Sequence, residues 1–134
     1  MKNVFEYTMI NESPTLSVVA GAEIEDAQCK AVKLTGGKAV LPLAGEVPAG
    51  ILLISSEDKI TAGAEATIQI KDIGMWRAGA AFKAGELLAV DAEGLCQKAT
   101  AGQYIFARAL GAAALKGDIV NVQIIYAGYE KAGV

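Results

Sequence analysis

The sequence predicts a mainly β fold: a compact barrel-like or sandwich-like module built from two similar hairpin-containing halves, with few or very short helices. Three observations predict it. First, the chain is punctuated by turns in which a small residue or lysine, a glycine and an acid precede an apolar run, as in Lys83-Ala84-Gly85-Glu86 before Leu87-Leu88-Ala89-Val90. Glycine takes a positive φ at such turns without steric cost, and short apolar runs bounded by turns read as strands. Second, the chain matches itself: Gly21 to Val32 aligns on Gly79 to Val90, with Ile24 over Phe82, Ala31 over Ala89 and Val32 over Val90. Third, hydrophobic residues make up 53% of the chain but aromatic ones only 6%, so the core is made of small and branched side chains that suit closely approaching strands.

Residues 1–20 carry none of the glycine turns that pace the rest, and they read as an N-terminal arm or an edge segment. Val4-Phe5-Glu6-Tyr7-Thr8-Met9-Ile10 is an extended or strand-forming stretch, and Asn11-Glu12-Ser13-Pro14 a breaker. Such a segment either packs on its own domain or lies on a neighbouring molecule, since termini are freest to do so. Residues 21–125 form the β-rich domain with the internal repeat. In each copy a hairpin turns at a glycine, Thr35-Gly36-Gly37-Lys38 or Ala92-Glu93-Gly94-Leu95. A loop and an apolar run follow, Pro48-Ala49-Gly50-Ile51-Leu52-Leu53-Ile54 or Tyr104-Ile105-Phe106-Ala107-Arg108-Ala109-Leu110. A further turn and strand close the copy, with Gly63 to Ile70 matching Gly117 to Ile124. Self-similarity on this scale indicates a duplicated unit whose halves pack on each other.

Residues 103–115 favour a strand through Leu110 with a short helical turn after it, although Ala, Leu and Arg also suit a helix. Asp72-Ile73-Gly74-Met75-Trp76-Arg77 holds the single tryptophan, which either plugs the core or, with Arg77, anchors a contact, because Trp and Arg are enriched in interface hot spots. Residues 126–134 are small and polar enough to fray.

Charge and composition exclude several functions. A net charge of −3 with scattered basic residues argues against nucleic-acid binding, which needs clustered Lys and Arg. No apolar stretch approaches the roughly 20 residues of a membrane-spanning helix, and the N-terminus lacks the apolar block of a secretory signal. Cys29 and Cys96 have no metal-ligand spacing and there is no histidine to complete a zinc site. Two reduced, partly buried thiols are expected, a disulfide requiring a non-cytosolic compartment.

The absence of histidine also removes the commonest general base and the Ser-His-Asp and Cys-His arrangements. Glu23, Glu25 and Asp26 cluster, as do Glu57 and Asp58, but carboxylates at turns are ordinarily solvated. No glycine stretch has the phosphate-loop pattern. The expectation is no enzyme, no cofactor and no metal.

The chain resembles the small phage capsid cement, or decoration, proteins, with head-fibre base proteins as near relatives. The resemblance rests on Val19-Ala20-Gly21-Ala22, on the segment from Cys29 to Lys38, on Ala49-Gly50-Ile51-Leu52, on Phe82 to Asp91, and on Leu115 to Val122. It covers about residues 19–124, and departs at Gln28-Cys29-Lys30, where a glycine-acid pair like Gly85-Glu86 is expected. It implies a structural virion protein, made in the host cytoplasm, that binds the outer surface of the assembled head where coat subunits meet. The implied partners are the major capsid protein and itself, as a homotrimer, with no nucleic acid and no membrane. Candidate contacts are Val4, Phe5, Tyr7 and Met9 of the arm together with Trp76 and Arg77. A β-clip-like carbohydrate or small-ligand module is an alternative, and would show an aromatic-lined pocket. A carboxylate enzyme working at a subunit interface would show raised carboxyl pKa values.

Overall fold

A computed structural model describes residues 13–131. Twelve strands run in chain order: β1 Thr15–Val19, β2 Ile24–Glu25, β3 Ala31–Thr35, β4 Lys38–Val40, β5 Gly50–Leu52, β6 Lys59–Ile60, β7 Glu65–Gln69, β8 Ile73–Arg77, β9 Leu87–Val90, β10 Cys96–Lys98, β11 Tyr104–Ala109 and β12 Ile119–Tyr129. They form two five-stranded antiparallel sheets, ordered β1-β7-β5-β3-β4 and β10-β9-β11-β12-β8, and a small β2-β6 pair. The arrangement is sandwich-like and the sheets do not close into a barrel. No helix occurs among the described residues.

The two sheets repeat one plan. If β1, β7, β5, β3 and β4 are set against β8, β12, β11, β9 and β10, the strand orders coincide. Hydrogen bonds coincide as well. In the first half Gly63 N–H donates to Ala20 O, Ala20 N–H to Ala64 O, and Gly21 N–H to Ala39 O, each at 2.8 Å. In the second half Gly117 donates to Ala78, Ala78 to Asp118 and Gly79 to Cys96, each at 2.7 Å. Single parallel bridges, Ala20 to Ala39 and Ala78 to Cys96, occupy the same place in each copy. The aligned pair Ile24 and Phe82 also matches, since Ile24 lies opposite Ile60 and Phe82 opposite Ala113. The duplicated sequence therefore folds as a duplicated structure.

Local chemistry explains the elements. Thr35 pairs with Lys38 across Gly36 and Gly37, whose φ values of 58° and 79° are those of a two-residue hairpin turn that glycine enters freely. On β7 the pattern Ala66 and Ile68 in, Glu65 and Thr67 out has the period of two expected of a half-buried strand. The same period runs through Val120, Val122 and Ile124 of β12.

Each half has its own core. Ala20, Ile24, Val32, Leu52, Ile60, Ala66 and Ile68 are among the buried residues that fill the first. Trp76, Phe82, Leu88, Val90, Phe106, Val120 and Val122 belong to the second, which also takes Ala31 and Ile51 from the first sheet. The Trp76 indole is fully buried, donates its Nε1–H to Gly94 O at 2.9 Å, and meets the Phe106 ring edge-on at 5.5 Å. Backbone bonds tie the halves: Ala31 N–H to Gly94 O at 2.7 Å, Arg77 N–H to Cys29 O at 2.9 Å, and Gly45 N–H to Val90 O at 2.8 Å. The Tyr126 hydroxyl sits 2.9 Å from both Ala49 O and Ile70 O, so one side chain of the last strand holds two points of the first half.

Several expectations change. Of the stretch read as an arm or an edge segment, Thr15–Val19 is an edge strand paired with β7 in its own domain, and residues 1–12 lie outside the described residues. Tyr126 to Tyr129 continue β12 instead of fraying, with Tyr104 opposite Tyr129 and their rings edge-on at 5.3 Å. No helical turn follows Leu110: Ala113 bridges to Phe82, and residues 110–118 are bends and turns. The missing glycine-acid pair at Gln28-Cys29-Lys30 is replaced by two non-glycine residues in the left-handed region, Asp26 at φ 47° and Cys29 at φ 61°.

Cys29 and Cys96 are free and buried. Burial pushes both thiols up, against a smaller opposing pull from the Arg77 charge at Cys29, and burial, followed by the Tyr104 charge, raises the Tyr126 phenol. In each case the native state holds its proton more tightly than the unfolded chain, so the stability contributed is full below the unfolded value, about 8.5 for a thiol and about 10 for a phenol, and falls as pH rises above it. Denaturant unfolding between about pH 8.5 and 10.5 is expected to lose up to about 1.4 kcal/mol per pH unit through Cys96. Cys96→Ala should flatten that slope, and a slope unchanged in that variant would contradict the assignment.

Candidate binding surface

The sequence-derived contacts separate in space. Val4, Phe5, Tyr7 and Met9 lie outside the described residues. Trp76 is fully buried, which corrects its reading as a contact anchor: its ring fills the second core and its one polar atom is bound by Gly94. Arg77, next in sequence, points the other way, because successive strand side chains alternate between faces. It is half-buried, with its Nε buried and lacking a hydrogen-bond partner.

Arg77 shares the outward face of the second sheet with residues that sequence reasoning did not single out. Strand register places Ile119 opposite Arg77, Asn121 opposite Met75 and Gln123 opposite Ile73, and then Arg108 opposite both Gln123 and Leu87. Paired residues point to the same side, so Leu87, Ile73, Met75 and Ile119 share one face with Arg77 and Arg108, the chain's two arginines. Ile73 is 61% exposed and Met75 43%. No carboxylate occurs at these register positions. An apolar patch carrying Met and Arg but no acid has the composition of a protein contact surface. The available signal in the sequence was the alternation Ile73, Met75, Arg77, masked by Gly74 and Trp76 between them.

Beside β8 this face dips into a groove of about 270 Å³, walled by Leu53, Ile54 and Ser55 on one side and by Ile73 and Met75 on the other. Gln69 also lines it, its Nε2 donating to Ile73 O at 2.6 Å and to Lys71 O at 2.9 Å. No aromatic residue lines the groove, which removes the feature that a carbohydrate-binding module would have supplied.

The acidic cluster is a different place. Glu23, Glu25 and Asp26 line an open concavity with Glu93 and Lys30. Glu23 pairs with Lys59 and Glu93 with Lys116, both at 3.1 Å between exposed side chains. Glu23 thereby raises the Lys59 amine. Among the described residues no three metal-ligating side chains come together, and no helix is long and apolar enough to cross a membrane. The carboxylates form an open rim in which Glu23 and Glu93 are ion-paired.

No family model matches the chain, and no curated protein matches it. Among solved structures it is similar to the gp8.5 N base of the head fiber in bacteriophage phi29, with a TM-score of 0.64 and 14% sequence identity, over 87% of this chain and 97% of that one.

Proposed function

We propose that this chain is a structural component of a phage head, a base module that seats on the outer surface of the assembled shell and carries or anchors a fibre. The observation that carries this reading is the likeness of nearly the whole fold to a head-fiber base. It favours the fibre-base alternative over the cement reading that the sequence suggested first. The chain's own residues supply a means of attachment: the outward face of Leu87, Arg108, Ile119 and Arg77 is apolar, cationic and free of carboxylates. A module that binds only the assembled shell favours that state by mass action. Self-association as a trimer would present three such faces at once and raise avidity without new contacts. Coat protein and a second copy of this chain are the partners this reading requires.

Mass spectrometry and electron microscopy of purified particles test it. The expected result is the chain present in full heads, as density at the root of a protruding fibre. Regular coverage of every coat junction would instead support the cement reading, and absence from particles would remove both. Purified Arg108→Glu is expected to lose binding to heads while its melting temperature stays within about 2 °C of the parent, since surface changes usually cost under 0.5 kcal/mol.

A further inference from the structure

We propose that the outward face of the second sheet takes an acidic protein surface, one that brings a carboxylate to Arg77, a second carboxylate to Arg108 and an aliphatic side chain between them. The proposal rests on the head-attachment reading for the owner of that surface, the coat, and on this chain's residues for the chemistry.

Strand register sets the face out as a grid. One row across β11, β12 and β8 holds Arg108, Gln123 and Ile73. Two residues back along β12, Leu110 N–H donates to Asn121 O at 2.9 Å and Asn121 lies opposite Met75. Two further back, Ile119 lies opposite Arg77. Alternation along each strand turns all of these to one side. The arginines stand at opposite corners, and apart from the Asn121 amide the row between them is apolar and open, with Leu110 44% and Met75 43% exposed. A rise of four residues and two strand spacings put the two arginine Cα atoms about 16 Å apart.

The chain's cations are sorted. Lys33, Lys59, Lys98 and Lys116 each have a glutamate oxygen within 3.4 Å. Among the described residues neither guanidinium has an ion-pair or hydrogen-bond partner, and the Nε of Arg77 is buried as well. Arginine stays charged whatever surrounds it, so a donor that has lost water and gained nothing is a cost, and an anion arriving at the same group offsets it. The guanidinium fork fits carboxylate and phosphate alike. The spacing favours carboxylates on a protein: two cations with aliphatic side chains between them are not the clustered basic stripe that nucleic acid needs, and a net charge of −3 repels a polyanion at longer range. Methionine and arginine together are enriched in protein interfaces.

Two measurements test the proposal. In the first, the purified chain is co-sedimented with heads assembled without it. Arg77→Gln and Arg108→Gln are each expected to weaken binding at least about tenfold, the scale of one lost charge-assisted bond, with the melting temperature held near the parent's. Heads whose surface carboxylates are converted to neutral amides with a carbodiimide and ethanolamine, and which stay intact by electron microscopy, should bind the parent no better than untreated heads bind the double variant. Full binding to amidated heads overturns the proposal and leaves head attachment standing. The second measurement needs no heads. The peptide acetyl-Glu-Thr-Leu-Thr-Glu-amide, when extended, puts its leucine and both acids on one side, with the acids about 13 Å apart, a span that the flexible arginine stems cover. At millimolar concentration it should shift the Arg77 and Arg108 Nε–Hε resonances and the Leu110 and Ile119 methyls, and the same peptide with glutamine at both ends should not. Shifts from both peptides alike, from neither, or more strongly from a short DNA duplex would overturn the proposal, whether or not the chain binds heads. Shifts from the acidic peptide alone, in a chain that binds no untreated head, would uphold the recognition and remove head attachment.

Discussion

Trp76→Ala is expected to destabilise the protein by about 3–5 kcal/mol, the range for removing a large buried aromatic. That is a large share of the roughly 5–15 kcal/mol by which domains are stable. Two losses combine. The indole is fully buried against Phe106, and Phe106 in turn meets Tyr126 edge-on at 4.9 Å, so the cavity opens at the buried end of a three-ring cluster. The Gly94 carbonyl also loses one of its two donors. Trp76→Phe, which keeps most of the volume and loses the hydrogen bond, should cost clearly less. Denaturant melts of both variants measure the difference. A loss under about 1 kcal/mol for the alanine variant would be incompatible with a packed site of this kind.

Gly94→Ala is expected to be nearly as damaging, although it adds only a methyl group. Gly94 has φ +80°, and a Cβ there would fall 2.7 Å from Ala31 O and 3.0 Å from Leu41 Cδ2. The left-handed conformation costs a non-glycine residue about 1–2 kcal/mol, and overpacking adds about 1–3 kcal/mol. Relief is difficult because Ala31 is held by its own N–H bond to Gly94 O. Moving one atom of that pair strains the other. Gly85→Ala is the control: its φ is +89° but nothing lies within 4 Å of the added Cβ, so only the conformational cost of about 1–2 kcal/mol is expected. Equal losses at the two positions would mean that Gly94 is no junction between the halves.

Much of this architecture was legible in the chain. The Gly36-Gly37 hairpin, the Gly21/Gly79 and Gly63/Gly117 correspondences and the Ile24/Phe82 match all reappear as equivalent hydrogen bonds or bridges. They were legible because turn chemistry is local. What was hidden was set by distant contacts. β8 has a glycine at its second position, which weakens a strand signal, and it is a strand because β12 pairs along its whole length. Tyr126 to Tyr129 look like a tail but are held by β11 across a bulge between Ile105 and Ala107. Asp26 and Cys29 occupy left-handed positions that local preference assigns to glycine.

The candidate surface was still less legible. Arg77 was identified with Trp76 as its neighbour in sequence, yet strand alternation sends the two to opposite faces. The groove brings residues 51–55 beside residues 73–75, and no spacing rule connects those segments. Leu87, Arg108 and Ile119 become one face only through the order β9-β11-β12-β8.

The place of β12 bears on mechanics. Eleven residues long, it pairs with β8 through residues 119–123 and with β11 at residues 122–124 and 128–129, so its two ladders overlap at Val122 and Gln123 and together run nearly its whole length. A tug applied along its axis would have to shear two ladders at once, whereas a tug on an outer ribbon such as β4 or β10 peels bonds one after another. The module resists a pull most firmly if the load enters along β12.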